Sequence, residues 1–235
     1  MKIILNKKPK NPTIIEGFPG FGLVSTIACE FLLDHLKTEQ IGKILNEETQ
    51  PMVAIHENKV VDPLGIFYNK KYNMIIVHAV LPSQGQEWKL AGIIADLAKQ
   101  LDAKGIISLE GVGSGTKVTE SRAFYYCNDE KNSQKFKEVG IDPLKEGIIM
   151  GVTGALSVKE VGKISCIFAE AHTQLPDSKA AAKIIETLDK YLGLKVDYEP
   201  LLKQAGQFED KLKGMMEKGQ ETKSMADKKR MSYVG

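Results

Sequence analysis

The sequence predicts a single α/β domain with a mixed, largely parallel sheet flanked by helices, followed by a C-terminal helix and tail. Three observations carry that prediction. Short β-branched apolar runs alternate with amphipathic helical patterns through the first 195 residues, the arrangement of a sheet between helical layers. The run "NMIIVHAVL" is almost unbroken in apolar character, as in a central strand buried on both faces. After Val196 the alternation stops and a polar, helix-compatible stretch begins. The boundary therefore falls between residues 1–196, the α/β domain, and 197–235, the helix and tail.

The elements follow in order. "KIIL" and "PTIIEGF" are short and β-branched and read as strands. Residues 23–36, "LVSTIACEFLLDHL", carry Leu23, Ile27, Phe31 and Leu32 at helical spacing. Strand patterns recur at 39–45, 52–55, 58–61, 65–69 and 73–81. "EWKLAGIIADLAKQL" places Leu90, Ile94, Leu97 and Leu101 on one stripe, so it is a helix. "AKGIISLEGVGSG" reads as a strand running into a glycine loop, "RAFYYCN" as a strand, and "KNSQKFKEVG" as a helix that stops at Gly140. Residues 146–162 carry four glycines and receive no regular element. "ISCIFAEA" is a buried strand, and "DSKAAAKIIETLDKYLG" a helix with an acidic cap that ends at Gly193.

From Leu201 onward, Ala205, Phe208, Leu212 and Met215 follow at spacings of four and three, a two-heptad seam of the kind that lays one helix along another. This seam is assigned to oligomerisation. Gly206, Gly214 and Gly219 weaken it, each by roughly 1 kcal/mol relative to alanine. Beyond it, "KGQETKSMADKKR" is a polar tether that ends in "MSYVG", with Met231, Tyr233, Val234 and Gly235 forming an apolar tip for a protein partner.

Composition narrows the function. The chain has 235 residues with 32 basic and 30 acidic side chains, a net charge of +2 that supplies no long-range field for nucleic acid or an anionic membrane. The apolar run at the N-terminus is too short for a signal segment, and no stretch approaches the ~20 apolar residues of a membrane helix. A cytoplasmic, soluble protein is expected. Cys29, Cys127 and Cys166 lie far apart in apolar segments and read as buried, reduced side chains. The four histidines show no metal-ligand spacing, so no metal and no cofactor are expected.

Two glycine loops and one polar pair are the candidates for a ligand. Gly17, Gly20 and Gly22 lie between a strand and a helix, where backbone N–H groups can cradle an anion. Pro19 removes one donor and the spacing departs from the dinucleotide and P-loop patterns, which favours a structural turn. Gly111, Gly113 and Gly115, with Ser114, Thr116 and Lys117 beside them, follow a buried strand where α/β crevices open. Glu170 and His172, two apart at a strand end with Thr173 behind them, have the residue types for acid–base work near neutral pH. Hydrogen bonds that tie the loop to the sheet are the favoured reading of that pair, and no catalytic residue is assigned. Trp88, in the first turn of a helix, fits a protein interface and helix-on-sheet packing equally well.

As a set, the motifs resemble the proteasome assembly chaperone family in its archaeal branch. They are "PTIIEGFPGFGLVSTIACEFLLDHL", "EGVGSGT" and "GVTGALSVKEVGKISCIFAEAHTQLPDSKAAAKIIETL", and the likeness covers most of residues 10–193. The resemblance implies a compact α/β domain similar to nucleoside phosphorylases, without an established catalytic centre, in homo- or hetero-oligomers. It also implies partners: the α subunits of the 20S proteasome, or other proteins, engaged through a C-terminal hydrophobic-tyrosine-any tripeptide whose carboxylate faces a basic pocket residue. This chain departs from the tripeptide. Val234 is penultimate and Tyr233 third from the end, which displaces the ring by about 3.3 Å along an extended chain. Some archaeal family members do not engage the proteasome, and an off-register tip fits that group too. Two further readings stand beside this one: a nucleotide or nucleoside binder or enzyme that uses the glycine loops, and a structural oligomer with an inert tail.

Overall fold

Alternate isoleucines in adjacent strands set the architecture. The computed structural model describes residues 1–48, 53–56, 58–79, 85–113, 121–159, 161–172, 175–203, 205–206, 209–210 and 214. Within them, β1 (Lys2–Leu5), β2 (Thr13–Gly17), β3 (Glu39–Leu45), β6 (Leu64–Asn69), β7 (Met74–Ala79), β8 (Gly105–Gly113), β9 (Ala123–Cys127), β10 (Asp142–Pro143) and β11 (Ile164–Ala171) form one sheet. Its order is β1-β3-β6-β7-β2-β8-β11-β9-β10. The central strands β7, β2, β8 and β11 run parallel, whereas β1, β3 and β6 extend the sheet antiparallel on one side and β9 joins β11 antiparallel on the other. A separate hairpin is formed by β4 (Ala54–His56) and β5 (Lys59–Val61).

Successive side chains of a strand face opposite ways. Ile15, Ile76, Ile107 and Ile167 therefore pack with α1 (Val24–His35) and α5 (Ser178–Leu192) on one face. Ile14, Ile75, Ile106 and Cys166 pack with α2 (Glu87–Gln100) and α4 (Gly151–Val158) on the other. The result is a three-layer sandwich, in which near-continuous apolar strands are the consequence of burial on both faces.

Helix ends follow their sequence signals. Asp129 caps α3 (Glu130–Glu138) by accepting the Asn132 N–H at 3.0 Å, and Asp177 caps α5 by accepting the Ala180 N–H at 3.0 Å. Gly193 terminates α5 at a φ of 68°. α3 is fixed by a ring stack: Phe136, fully buried, lies 4.7 Å from the Tyr125 ring of β9 and 4.0 Å from the Tyr191 ring of α5.

Two sequence expectations change. α4 forms where four glycines suggested no element, because Val152, Ala155 and Leu156 at helical spacing are buried against α2 and the sheet. Burial of one apolar stripe outweighs the propensity cost of Gly154. Gly111 and Gly113, expected in a loop, are the last residues of β8, held in the ladder opposite Ala169 and Ala171 of β11. After α5, α6 (Glu199–Lys203) turns back along its own chain: Leu201 is buried with the α5 residues, and Glu209 accepts the Ser178 N–H at the start of α5 at 3.0 Å. Ala205 is itself helical. Phe208, Leu212 and Met215 of the seam, and Met231, Tyr233, Val234 and Gly235 of the tip, lie outside the described residues.

Candidate functional site

The parallel strands β2, β8 and β11 each carry a glutamate in their C-terminal half, and period-two alternation points Glu16, Glu110 and Glu170 to the α4 face. There they line a cleft of about 1250 Å³ at the carboxyl ends of these strands, the crevice position of open α/β sheets. The turn after β2 closes one side of the cleft, α4 its floor, and the segment 144–150 its rim, where Ile148 and Met150 are exposed.

Glu16 is buried, Glu110 is half-buried, and the two are joined through two hydroxyls. Ser108 hydrogen-bonds to the Glu16 carboxyl, Ser108 Oγ lies 2.8 Å from Thr153 Oγ1, and Thr153 Oγ1 lies 3.2 Å from Glu110 Oε2. Burial pushes the Glu16 carboxyl up to about 8, against the Ser108 hydrogen bond that opposes it. Burial likewise raises Glu110 to about 7, against the N–H donors of Gly111 and Phe21 and the Thr153 hydroxyl.

The first glycine turn contributes one backbone donor to a carboxyl of the chain itself, and β8 contributes a second. Glu110 Oε1 accepts the Phe21 N–H at 3.3 Å and the Gly111 N–H at 3.1 Å. The turn can approach because Gly20 has no side chain: a β-carbon there would stand 2.0 Å from Glu110 Oε1. Gly111 is less forgiving, since its β-carbon would meet a backbone atom, the oxygen of Phe21, at 2.1 Å. Gly111→Ala is therefore expected to destabilise the protein by about 2–3 kcal/mol through forced backbone displacement, read as a lower denaturant midpoint with an unchanged slope. Full stability in that variant would contradict the close approach.

At the cleft mouth Arg122 forms a fork with Glu170, Nε to Oε2 at 2.9 Å and Nη2 to Oε1 at 2.7 Å. That hydrogen-bonded guanidinium holds the Glu170 carboxyl below the usual carboxylate range despite its burial. His172 has a different partner: its backbone N–H donates to Asp177 Oδ2 at 3.2 Å, and its Nδ1 lies 3.2 Å from the same oxygen. Glu170 is thus bound to Arg122 and His172 to the α5 cap.

Of the sequence candidates, Gly20, Gly111, Gly113 and Glu170 meet in the cleft. Gly17 packs under Cys29 of α1, and Gly22 (φ 64°) shapes the turn; neither lines the cleft, nor does His172. Ser114, Gly115, Thr116, Lys117 and Thr173 lie outside the described residues. Sequence reasoning missed Glu16, Glu110, Ser108 and Thr153. A signal for two of them was present in the repeated Glu–Gly that closes both "TIIEG" and "ISLEG". Among the described residues no cluster of three His, Cys, Asp or Glu side chains is arranged to hold a metal ion, and no helix is long and apolar enough to cross a membrane.

A nine-stranded sheet with helices on both faces, and a strand-end cleft walled by a glycine turn and α4, define one class of single-domain α/β protein. The chain belongs to the PAC2 family, whose profile matches residues 14–216. It is similar to PbaA of Pyrococcus furiosus, an archaeal homolog of proteasome-assembly chaperone, with 32% identity and a TM-score of 0.84 over 94% of this chain and 99% of that one. PbaB of the same organism, an archaeal proteasome activator, shares the fold at 22% identity and a TM-score of 0.75, over 91% of this chain and 98% of PbaB. An uncharacterized protein of Methanocaldococcus jannaschii is 26% identical over 232 residues, 96% of this chain and 94% of its relative.

Proposed function

We propose that this protein is a proteasome assembly chaperone-like protein that forms homo-oligomers and recognises 20S proteasome α subunits through its C-terminal tail, residues 231–235. The observation that carries the reading is the family match over 14–216 together with the likeness to PbaA along nearly the whole of both chains. The tail supplies the chemistry: Met231, Tyr233 and Val234 offer apolar groups on a polar tether. Several copies on one oligomer convert weak single contacts into useful avidity through effective concentration. Since Leu201 is buried in its own chain, assembly uses surface other than that residue.

The test is a pull-down of 20S α subunits by the full chain and by a chain lacking residues 231–235. Recovery by the shortened chain is expected to fall at least about tenfold, equivalent to about 1.4 kcal/mol or more of binding free energy. Equal recovery would reject the tail as the contact.

One observation favours a second reading, a small-ligand binder: Gly20, Gly111, Gly113 and Glu170 border a single strand-end cleft. Its test is thermal stabilisation by nucleotides and nucleosides, where a ligand at 100 times its Kd adds about 2.7 kcal/mol. A flat melting temperature across the series would reject this reading.

A further inference from the structure

The chain of contacts from Glu16 through Ser108 and Thr153 to Glu110 contains three hydrogen-bonding links. Each link needs one hydrogen on the line between its oxygens. Ser108 and Thr153 own one hydroxyl hydrogen each, and an ionised carboxylate owns none. Two hydrogens cannot fill three links. The third must be a carboxylic proton.

Placing it is a matter of the remaining partners. Glu110 Oε1 already accepts two backbone N–H groups, from Phe21 and Gly111, and these favour its ionised form. Glu16 is wholly enclosed between β7 and β8 and has one backbone donor, Phe18, where Glu110 has two; its other donors are the hydroxyls of Ser108 and Thr153. With the proton on Glu16, the donation runs Glu16 to Ser108, Ser108 to Thr153, and Thr153 to Glu110. With the proton on Glu110, all three bonds reverse. The atoms balance in both directions, because only the hydrogens shift along the line.

No neighbouring cation neutralises the pair among the described residues that face it. Cys166 of β11 on the same face and Cys29 of α1 across the sheet are thiols whose ionisation burial opposes. Arg122 at the mouth is held by Glu170. The other charged groups of the cleft are Glu87 of α2, Asp142 of β10, and Lys145 and Glu146 of the rim. Only Lys145 among these is a cation without an ion-pair partner, and it sits on the rim rather than against the buried carboxyls.

We infer that Glu16, Ser108, Thr153 and Glu110 form a proton-sharing chain that locks α4 to β2 and β8 while one carboxylic proton is present, and releases this wall of the cleft when the proton leaves. Without that proton, one link becomes a bare oxygen–oxygen contact in a region of low dielectric, and two carboxylates face each other through the hydroxyls. Thr153 is the only member on α4, so α4 is the element set free. The device acts on the same cleft as the small-ligand reading but does not depend on it, nor on proteasome recognition.

The experiment uses the full chain labelled with carbon-13 at the glutamate carboxyls. Infrared spectra should contain the carbonyl stretch of a protonated, buried glutamic acid at about pH 6 and lose it by about pH 10. Glu16→Gln should abolish that band at about pH 7.5, above the range in which Glu110 keeps a proton of its own. Amide hydrogen exchange, referenced to α1 in the same sample to remove the intrinsic effect of pH, should show protection of residues 151–158 falling at least about tenfold over the same range. The fall should be absent in Glu16→Gln, whose amide supplies the third hydrogen at every pH. Absence of the band in the unaltered protein would overturn the inference, and so would its survival in Glu16→Gln at about pH 7.5 or an α4 protection that ignores pH. If Glu16→Gln does not fold, Thr153→Val takes its place: it cuts the chain at the middle and should erase the pH dependence of α4, and retention of that dependence would overturn the inference.

Discussion

Raising the pH from about 6.5 to about 9 is expected to destabilise the protein by about 2–4 kcal/mol, and Glu16→Gln is expected to remove most of that loss. The sign follows from burial. In the folded chain Glu16 holds its proton up to about pH 8 and Glu110 up to about pH 7, against an ordinary value of 4.5. A group with a raised folded pKa contributes stability that is complete below the unfolded value and lost as the pH climbs through the folded one. The two carboxyls titrate as a pair, so their separate contributions do not add. His78 has the opposite slope: burial depresses its folded pKa from 6.5 to about 4, so its contribution is complete above 6.5 and lost as the pH falls through about 4. Glu170, stabilised by Arg122, likewise matters only at low pH. The thiols of Cys29, Cys127 and Cys166, whose ionisation burial opposes, also lose stability as the pH nears 9, but equally in both proteins, so the difference between the parent and Glu16→Gln isolates the carboxyl pair. Chemical denaturation of both proteins between about pH 6.5 and about pH 9 should show Glu16→Gln as the more stable at about pH 9, while a falling curve identical in the two would place the proton elsewhere.

Phe136→Ala carries the other large effect, about 3–5 kcal/mol of lost stability. Phe136 is the middle ring of three, between Tyr125 and Tyr191, and no part of it reaches solvent. Truncation removes both ring contacts and leaves a cavity bounded by a strand and two helices, elements too well connected to collapse into it. The aromatic pairs add roughly 0.5–1.5 kcal/mol each beyond the area they bury. Equilibrium unfolding reads the effect directly. Phe136→Leu, which keeps most of the volume, should recover more than half of the loss. An alanine variant within about 1 kcal/mol of the parent would mean that α3 contributes little to the core.

The backbone was legible in the sequence where periodicity was strong. The stripe Leu90, Ile94, Leu97 and Leu101, the acidic cap and Gly193 around α5, and the apolar runs of β7 and β11 all appear as read. α4 was hidden because its glycines argue against a helix locally, and the burial that overrides them involves α2, which lies far away in the chain. The site was half legible for the same reason. Gly20 and Gly111 stood out as glycines, yet their purpose is to admit Glu110 and the Phe21 carbonyl, partners about ninety positions apart in sequence. Glu16 faces Ser108 only because β2 and β8 are neighbours in register, and strand order is not written in any local pattern. A lone glutamate at the end of an apolar strand looks like the first residue of a loop. Two such strands placed in parallel make it half of a buried pair.

The proposed function requires an oligomer of this chain that recognises proteasome α subunits. The most direct measurement is the mass of the particle in solution, alone and mixed with 20S α subunits. The expected result is a mass of several chains for the protein alone and a heavier species, containing both components, in the mixture. A single chain that leaves the mass of the α subunits unchanged would contradict it.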